Sequence, residues 1–464
     1  MRRVLPALLL SVGCLLPLVV ATAPVALAAV DPTSGSCREN LTGPTCQYQY
    51  GQVTGINDGD GMDVDIAGDG TATPVSIRIN GLQAMELYPD GYSDTPADRR
   101  GQCHGVEAAN RLQGLVPVGS RVRLAAQALS SNSGGRPRRS VFVQDGGGTW
   151  RDAARTMLSE GHALWLPAPD VEWSHNVEYS TLAIAARASG VNLWDTDACG
   201  TGPSQSNPLK LWVNWDANGA DGGSNLNGEW IRVKNRGTTD INLAGWSLRD
   251  AAYRGNSTGA STLGRGFVFP TGAKLLAGKT VTLFMGSGTS TATSFYWRQT
   301  AAVFENVTLA TGTGPGRGLG DGAYLFDPNG DLRTSMIYPC RTSCTDFLIG
   351  KVFISAMYDP AGADTAANEY VYLKNTSSAR IQLESYQVWN WPFGYVFGAG
   401  SYLDPGEALR LYLGKGTSTR TKRYWGLDQA YLSNSGDNVA LRTLTNIVIA
   451  CKTWGSNTTC RTTD

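Results

Sequence analysis

The sequence predicts a multidomain, mainly β protein in which a mixed α+β unit precedes two related β-sandwiches. Three observations predict it. At 464 residues the chain exceeds what one core supports, so about two to four domains are expected. Its 56 glycines, 13 tryptophans and 18 tyrosines occur with few long helical apolar patterns, which favours short strands between turns. The second half also repeats itself at fixed offsets, the mark of two copies of one unit.

Residues 1–28 read as an export signal rather than as part of the fold. Arg2 and Arg3 precede an apolar run over 4–20, and Ala26-Leu27-Ala28 has the small-x-small form of a cleavage site. Pro6, Pro17 and Pro24 argue against a signal anchor. No later stretch approaches ~20 apolar residues, so no membrane span is expected in the mature chain. A secreted, extracellular or cell-surface protein is the expectation. Once Cys14 leaves with the signal, eight cysteines remain, an even number that in an exported chain reads as disulfides. Their layout offers Cys37 with Cys46, Cys340 with Cys344 and Cys451 with Cys460, leaving Cys103 with Cys199. Zinc spacing fits these positions badly.

After a segment over 29–47 that bears two of these cysteines, residues 48–200 form the expected α+β unit. Strands are expected over 53–66 and 74–79, with turns at Asp58-Gly59 and Asp69-Gly70. Val106, Ala109, Leu112 and Leu115 fall at helical spacing, strands follow over 122–126 and 141–143, and helices over 149–161 and 177–190 each close on a glycine. This order suggests a small β-barrel flanked by helices. The polar stretch 201–208 is a linker. Charge changes across it. Residues 48–200 carry 12 Arg, no Lys and 18 acids, a net of −6, whereas 201–464 carry 24 basic and 19 acidic residues, a net of +5. The acidic balance of the first unit is poor for long-range attraction of a polyanion.

The sandwiches are expected over 209–345 and 346–464. Glu229-Trp-Ile-Arg-Val-Lys-Asn235 recurs as Glu369-Tyr-Val-Tyr-Leu-Lys-Asn375, and Leu243-Ala-Gly-Trp246 as Leu383-Glu-Ser-Tyr386, both at an offset of 140. Phe267 and Tyr395, Gly278 and Gly406, and Tyr296-Trp297 and Tyr424-Trp425 then match at 128, and Asp321 and Asp437 at 116. Extra loops in the first copy, around 253–264 and 308–318, account for the drops. The alternating strands between turn signals fit a β-sandwich. Trp230 and Trp246 are expected as inter-sheet core fillers.

Three motifs in the first unit could carry chemistry. Asp58-Gly-Asp60 turns two carboxylates toward one point, as a hard cation would require, though an ordinary turn uses the same residues. Arg78 and Asn80 share a strand face ahead of Gly81-Leu-Gln-Ala-Met-Glu86, and Arg136, Arg138 and Arg139 enter an apolar strand. Of the three histidines, His162 sits at a helix end, and His104 and His175 are expected at surface or loop positions. No Gly-x-Ser-x-Gly or Ser–His–Asp order supports a serine hydrolase.

In this order, and with Gly161-His-Ala and Val191-Asn-Leu-Trp194, the motifs resemble the staphylococcal nuclease (thermonuclease-like) family over roughly 48–195. The resemblance implies an OB-like five-stranded barrel with helices and a secreted nuclease acting on DNA or RNA with Ca2+. It casts Asp60, with Asp58 beside it and Gln83, as the metal site. Arg78 and Arg138 would bind phosphate, with Arg136 and Arg139 as alternates, and Glu86 would orient or deprotonate the attacking water. Two departures bear on this. Gln83 and Met85 replace the family's carboxylate and proline, and Gly61 replaces its threonine. An amide ligates calcium without attracting it by charge. The alternative is a catalytically inactive extracellular binding or scaffold protein on a degenerate barrel. The repeats resemble lamin-tail domains, immunoglobulin-like modules, which implies an accessory role in targeting or binding toward an unknown ligand; Ser385-Tyr386 is the second copy's departure from that pattern.

Overall fold

The structure, a computed structural model, describes residues 31–39, 43–87, 102–167, 172–200, 208–215, 223–252, 266–307, 320–340, 345–390 and 392–460. The expected export signal, most of the linker, the two extra loops of the first sandwich and Cys344 lie outside these residues.

Five strands organise the first unit: β1 Thr45–Ile56, β2 Gly61–Ile66, β3 Val75–Ile79, β4 Arg121–Ala126 and β5 Arg136–Gln144. β1 pairs antiparallel with β2, β2 with β3, and β3 parallel with β5. β5 then pairs antiparallel with β4, and β4 with β1, so the pairings return to the strand where they began. Strand alternation explains the filling. Met62, Val64 and Ile66 are buried in one core with Ile77, Ile79, Val122, Leu124 and Val141, while Asp63 and Asp65 take the other face of β2. Outside the circuit, Ser34–Ser36 pairs with β1, and the Cys37–Cys46 disulfide packs with Ala125 and Phe142 in a separate small cluster.

Three helices cover the circuit: α1 Gly105–Leu115, α2 Ala153–Ser159 and α3 Asn176–Ser189. The helix expected from residue 149 begins only at Ala153, because Trp150–Asp152 pairs with β5 as a strand. Asp152 then caps α2, accepting from the Arg155 N–H at 3.2 Å. Gly190, at φ 61°, closes α3 in the left-handed conformation that glycine adopts without strain.

The two sandwiches repeat strand for strand. In the first, β6 Leu209–Asn214, β7 Trp230–Asn235, β9 Thr280–Phe284 and β10 Ser294–Tyr296 form one sheet. β8 Ser247–Arg249, β11 Asp321–Phe326 and β12 Leu332–Tyr338 form the other, with Phe267–Val268 at its edge. The second copy has β13 Val352–Met357, β14 Tyr370–Asn375, β16 Ala408–Tyr412 and β17 Lys422–Tyr424 facing β15 Tyr386–Asn390, β18 Gly436–Thr443 and β19 Val448–Gly455. Ile231 and Val233 point between the sheets, as do Val371 and Leu373. Trp246 is buried in the first core as expected. Trp230 is buried too, but two residues from Arg232 it shares that residue's face, with the Arg232 guanidinium 4.0 Å over its ring. It belongs to the same buried cluster as Trp246.

The middle sandwich is covered on both sides. Tyr324, Phe326, Leu332 and Ile337 join the core of the first unit, where Trp194 meets Tyr324. On the other side the Lys234 ammonium meets Glu384 at 2.6 Å, and the Trp215 indole donates to the Leu444 carbonyl at 2.8 Å. Cys103–Cys199 and Cys451–Cys460 are bonded as the layout suggested, and Cys340 is disulfide-bonded. Among the described residues, no helix is long and apolar enough to cross a membrane.

Candidate active site

The β1–β2 turn folds back on itself. The Asp58 carboxylate accepts the Asp60 N–H at 3.0 Å, an Asx-type turn that directs Asp60 inward. Glycine is required between them by contact rather than by dihedral. A Cβ on Gly59 would stand 2.6 Å from that of Ala84 and 2.7 Å from that of Ala108, so turn, loop and α1 meet there. Gly61, which follows, would place a Cβ 3.0 Å from Asp58 Oδ1 and 3.3 Å from Arg136 Nη1. A threonine there would crowd both.

Asp60 and Arg78 are buried, at 1% and 2% exposure, and form an ion pair. The second Asp60 oxygen accepts the Ala84 N–H at 2.9 Å. From its other nitrogen Arg78 donates to Gln83 Oε1 at 2.6 Å and to the Leu82 carbonyl at 3.2 Å. The Gln83 amide in turn donates to Glu86 Oε1 at 3.0 Å. Gln102 fixes the backbone of Glu86 from both sides, accepting its N–H at 3.0 Å and donating to its carbonyl at 2.8 Å. One hydrogen-bonded run thus connects Asp60, Arg78, Gln83 and Glu86. Removing either member of the buried ion pair would strand the other charge, at a cost of about 3–5 kcal/mol.

The parallel register of β3 and β5 sets Arg138 directly opposite Arg78, so both side chains leave the same face. Arg139 shares its face with Val141 and is buried; it donates to Gln49 Oε1 at 3.1 Å and to the carbonyls of Leu129 and Ser131 at 2.9 and 3.2 Å. Its role is structural. The six residues singled out from the sequence therefore gather in one place, with Arg136 at the Asp58 edge.

As arranged, these groups do not fit a calcium ion, which takes about six to eight oxygens. Both Asp60 oxygens and Gln83 Oε1 accept from protein donors, and the Arg78 guanidinium lies between them. Elsewhere among the described residues, Cys103, Cys199 and Asp331 bring ligand atoms together, but the sulfurs are bonded to each other and Asp331 accepts the Cys199 N–H.

Two histidines expected at the surface are buried. His104 heads α1 with its Nε2 3.1 Å from His162 Nδ1, and burial followed by the neighbouring His162 lowers its pKa to about 4. His175, 1% exposed, stacks on Tyr179 beside Asp152, whose carboxylate accepts the Tyr179 hydroxyl at 2.7 Å. Burial pushes the Asp152 carboxyl upward and His175 downward, favouring the neutral form of each. A lone histidine between polar residues gives no sequence signal of such burial.

A family model for the lamin tail domain matches residues 214–339 and 348–456, more than half of the chain. The chain belongs to the lamin tail domain family. No curated protein matches it. The match takes in both sandwiches and leaves the first unit outside.

In both lamin tail domains the glutamate that opens the repeated motif is buried and holds a crossing loop. Glu229 accepts the N–H groups of Val303 and Phe304 at 3.0 and 2.7 Å; Glu369 accepts those of Tyr431 and Leu432 at 2.6 and 3.0 Å. The asparagine ending the motif does likewise, Asn235 donating to the Thr239 carbonyl and Asn375 to that of Ala379. These are scaffold roles. The first lamin tail domain also reaches the candidate site. Arg249, stacked 4.1 Å over Phe326, lies against Met85 in the loop between Gln83 and Glu86.

Proposed function

We propose that residues 48–200 form an OB-like, staphylococcal-nuclease-like barrel that hydrolyses phosphodiester bonds of DNA or RNA, with the two lamin tail domains as accessory binding modules. The run from Asp60 through Arg78 and Gln83 to Glu86, with Arg138 on the Arg78 face, carries this reading. The closed circuit of strand pairings supports the barrel.

In this reading the planar forks of Arg78 and Arg138 hold the phosphate oxygens and stabilise the charge that builds on them. Glu86 takes a proton from the attacking water. Asp60 positions Arg78, and Gln83 couples Arg78 to Glu86. The disulfides support export to an oxidising compartment.

A second reading is a barrel that binds without cutting, in an extracellular scaffold. The replacement of a carboxylate by Gln83, engaged with both Arg78 and Glu86, favours it. Fluorogenic single-stranded DNA and RNA, offered to the full chain with calcium and with chelator, separate the two. Turnover that Glu86→Gln abolishes supports hydrolysis, and its dependence on calcium reports whether Arg78 yields to a metal. Equal background in every sample leaves the binding reading.

A further inference from the structure

We propose that the outer face of the second lamin tail domain, built on Tyr370, Tyr372, Tyr412, Tyr424, Arg410 and Lys422, binds single-stranded nucleic acid. Strand register lays these residues out in two rows across the sheet. One row runs Met357, Tyr370, Tyr412, Tyr424; the next runs Ser355, Tyr372, Arg410, Lys422. The tyrosine rings are close, with centroids 5.4 Å apart for Tyr370 and Tyr412 and 5.5 Å for Tyr412 and Tyr424. The Lys422 ammonium lies 5.1 Å from the Tyr412 ring and Arg410 lies 5.5 Å from that of Tyr370. Arg410, Lys422 and Lys374 are exposed, and Phe353 at the edge is 52% exposed.

Charge selects the occupant. The four strands carry Lys374, Arg410, Lys422 and Arg423 and no acidic residue. A row of rings edged with cations suits a ligand that alternates flat bases with phosphates. Bases stack on the rings whatever their identity, and the cations follow the backbone.

The first lamin tail domain provides the internal comparison. There the equivalent face is occupied by its neighbour: Lys234 and Thr280 both contact Glu384, and Arg232 donates to the Phe397 carbonyl at 3.2 Å. The positions matching Arg410 and Lys422 are the neutral Thr282 and Ser294. Both faces carry cations, but Arg232 and Lys234 of the first copy are engaged by the neighbouring sandwich, whereas Lys374, Arg410 and Lys422 of the second are exposed. A second copy of the chain is a poor occupant, because Glu384 is already engaged within the chain and the matching position of the first copy is Ala244.

The test is fluorescence anisotropy of a labelled oligothymidylate with the full chain in chelator. This reads binding without turnover, so it stands or falls separately from the hydrolytic reading. Tyr412→Ala is expected to weaken binding about tenfold or more. The Arg410→Ser/Lys422→Ser pair, exposed and safe for folding, should weaken it and reduce the salt slope by about 0.7 per cation lost. Lys452→Ser, an exposed cation on the other sheet of the same domain, should bind as the unmodified chain does. Four results would overturn the inference: no binding by the unmodified chain, unchanged binding by the Arg410/Lys422 variant, heparin competing equally while Tyr412→Ala has no effect, or self-association that the same substitutions abolish.

Discussion

Arg249 of the first lamin tail domain donates through Nη2 to the sulfur of Met85, 3.0 Å away, across the seam between that domain and the first unit. Met85 is 2% exposed and sits between Gln83 and Glu86, so a neighbouring domain braces the loop that carries two of the candidate site residues. Arg249→Leu removes a hydrogen bond from a charged donor and the guanidinium stacked on Phe326, and is expected to cost about 1–3 kcal/mol. Amide exchange over 82–86 should quicken in the same variant. Unchanged exchange there would detach the brace from the loop.

The Gly59 contact predicts a larger local effect. Gly59→Ala places a methyl group between Ala84 and Ala108 at 2.6 and 2.7 Å, too close for either to remain in place. Overpacking of this kind costs about 1–3 kcal/mol. Chemical denaturation gives the loss directly.

Two buried groups should oppose each other as pH changes. His104 has its folded pKa lowered to about 4, by burial first and then by His162, from an ordinary 6.5. The unfolded chain therefore binds the proton more readily, so stability is full above 6.5 and falls as pH drops toward 4. Glu369 is pushed the other way, up to about 7 from 4.5, chiefly by burial and against two N–H donors. Its contribution is full below 4.5 and is lost as pH rises through 7. Denaturation midpoints between pH 4 and 7 should flatten at the acid end in His104→Gln and at the neutral end in Glu369→Gln.

Glu229 gives a test within the first lamin tail domain. Glu229→Gln keeps the shape but turns an amide NH2 toward either Val303 or Phe304, leaving one backbone N–H without an acceptor. A loss of about 1–3 kcal/mol is expected. Thermal unfolding of the full chain measures it.

The Cys103–Cys199 link closes a separation of 96 residues and rests on the first lamin tail domain. A Cβ on Gly330 would lie 2.8 Å from that of Cys103, and Asp331 holds the Cys199 N–H at 2.7 Å. On the chain-entropy account, Cys103→Ser/Cys199→Ser should destabilise the chain by about 4–5 kcal/mol. Guanidinium melts with and without reductant would report it.

Much of this was legible because the signals were local. Glu229 and Glu369 head the same motif at a constant offset, and the strands they precede, Trp230–Asn235 and Tyr370–Asn375, keep that offset in space. The Asp58–Asp60 turn and the helix through Leu112 follow from glycine placement and helical spacing, but the buried face of that helix runs through Gly105, Ala108 and Leu112, and Val106, expected on it, is 53% exposed. What stayed hidden depended on distant contacts. All six residues of Asp321–Phe326 are buried because the first unit covers that sheet, so the alternation that would mark an inner and an outer face disappears. The burial of Arg78 required Asp60, 18 positions away, and buried His175 lies beside Asp152 on a separate segment. Arg249 carries no hint of Met85 at all.

The middle sandwich lends one sheet to the core on its left and the other to the partner on its right. Melting it would bare apolar walls on two neighbours at once, so neither can outlast it for long. A calorimetric trace of the full chain should hold one peak, and a gene cut at the apparent module borders should yield fragments that clump. Modular in its text, the protein is expected to be indivisible in its heat capacity.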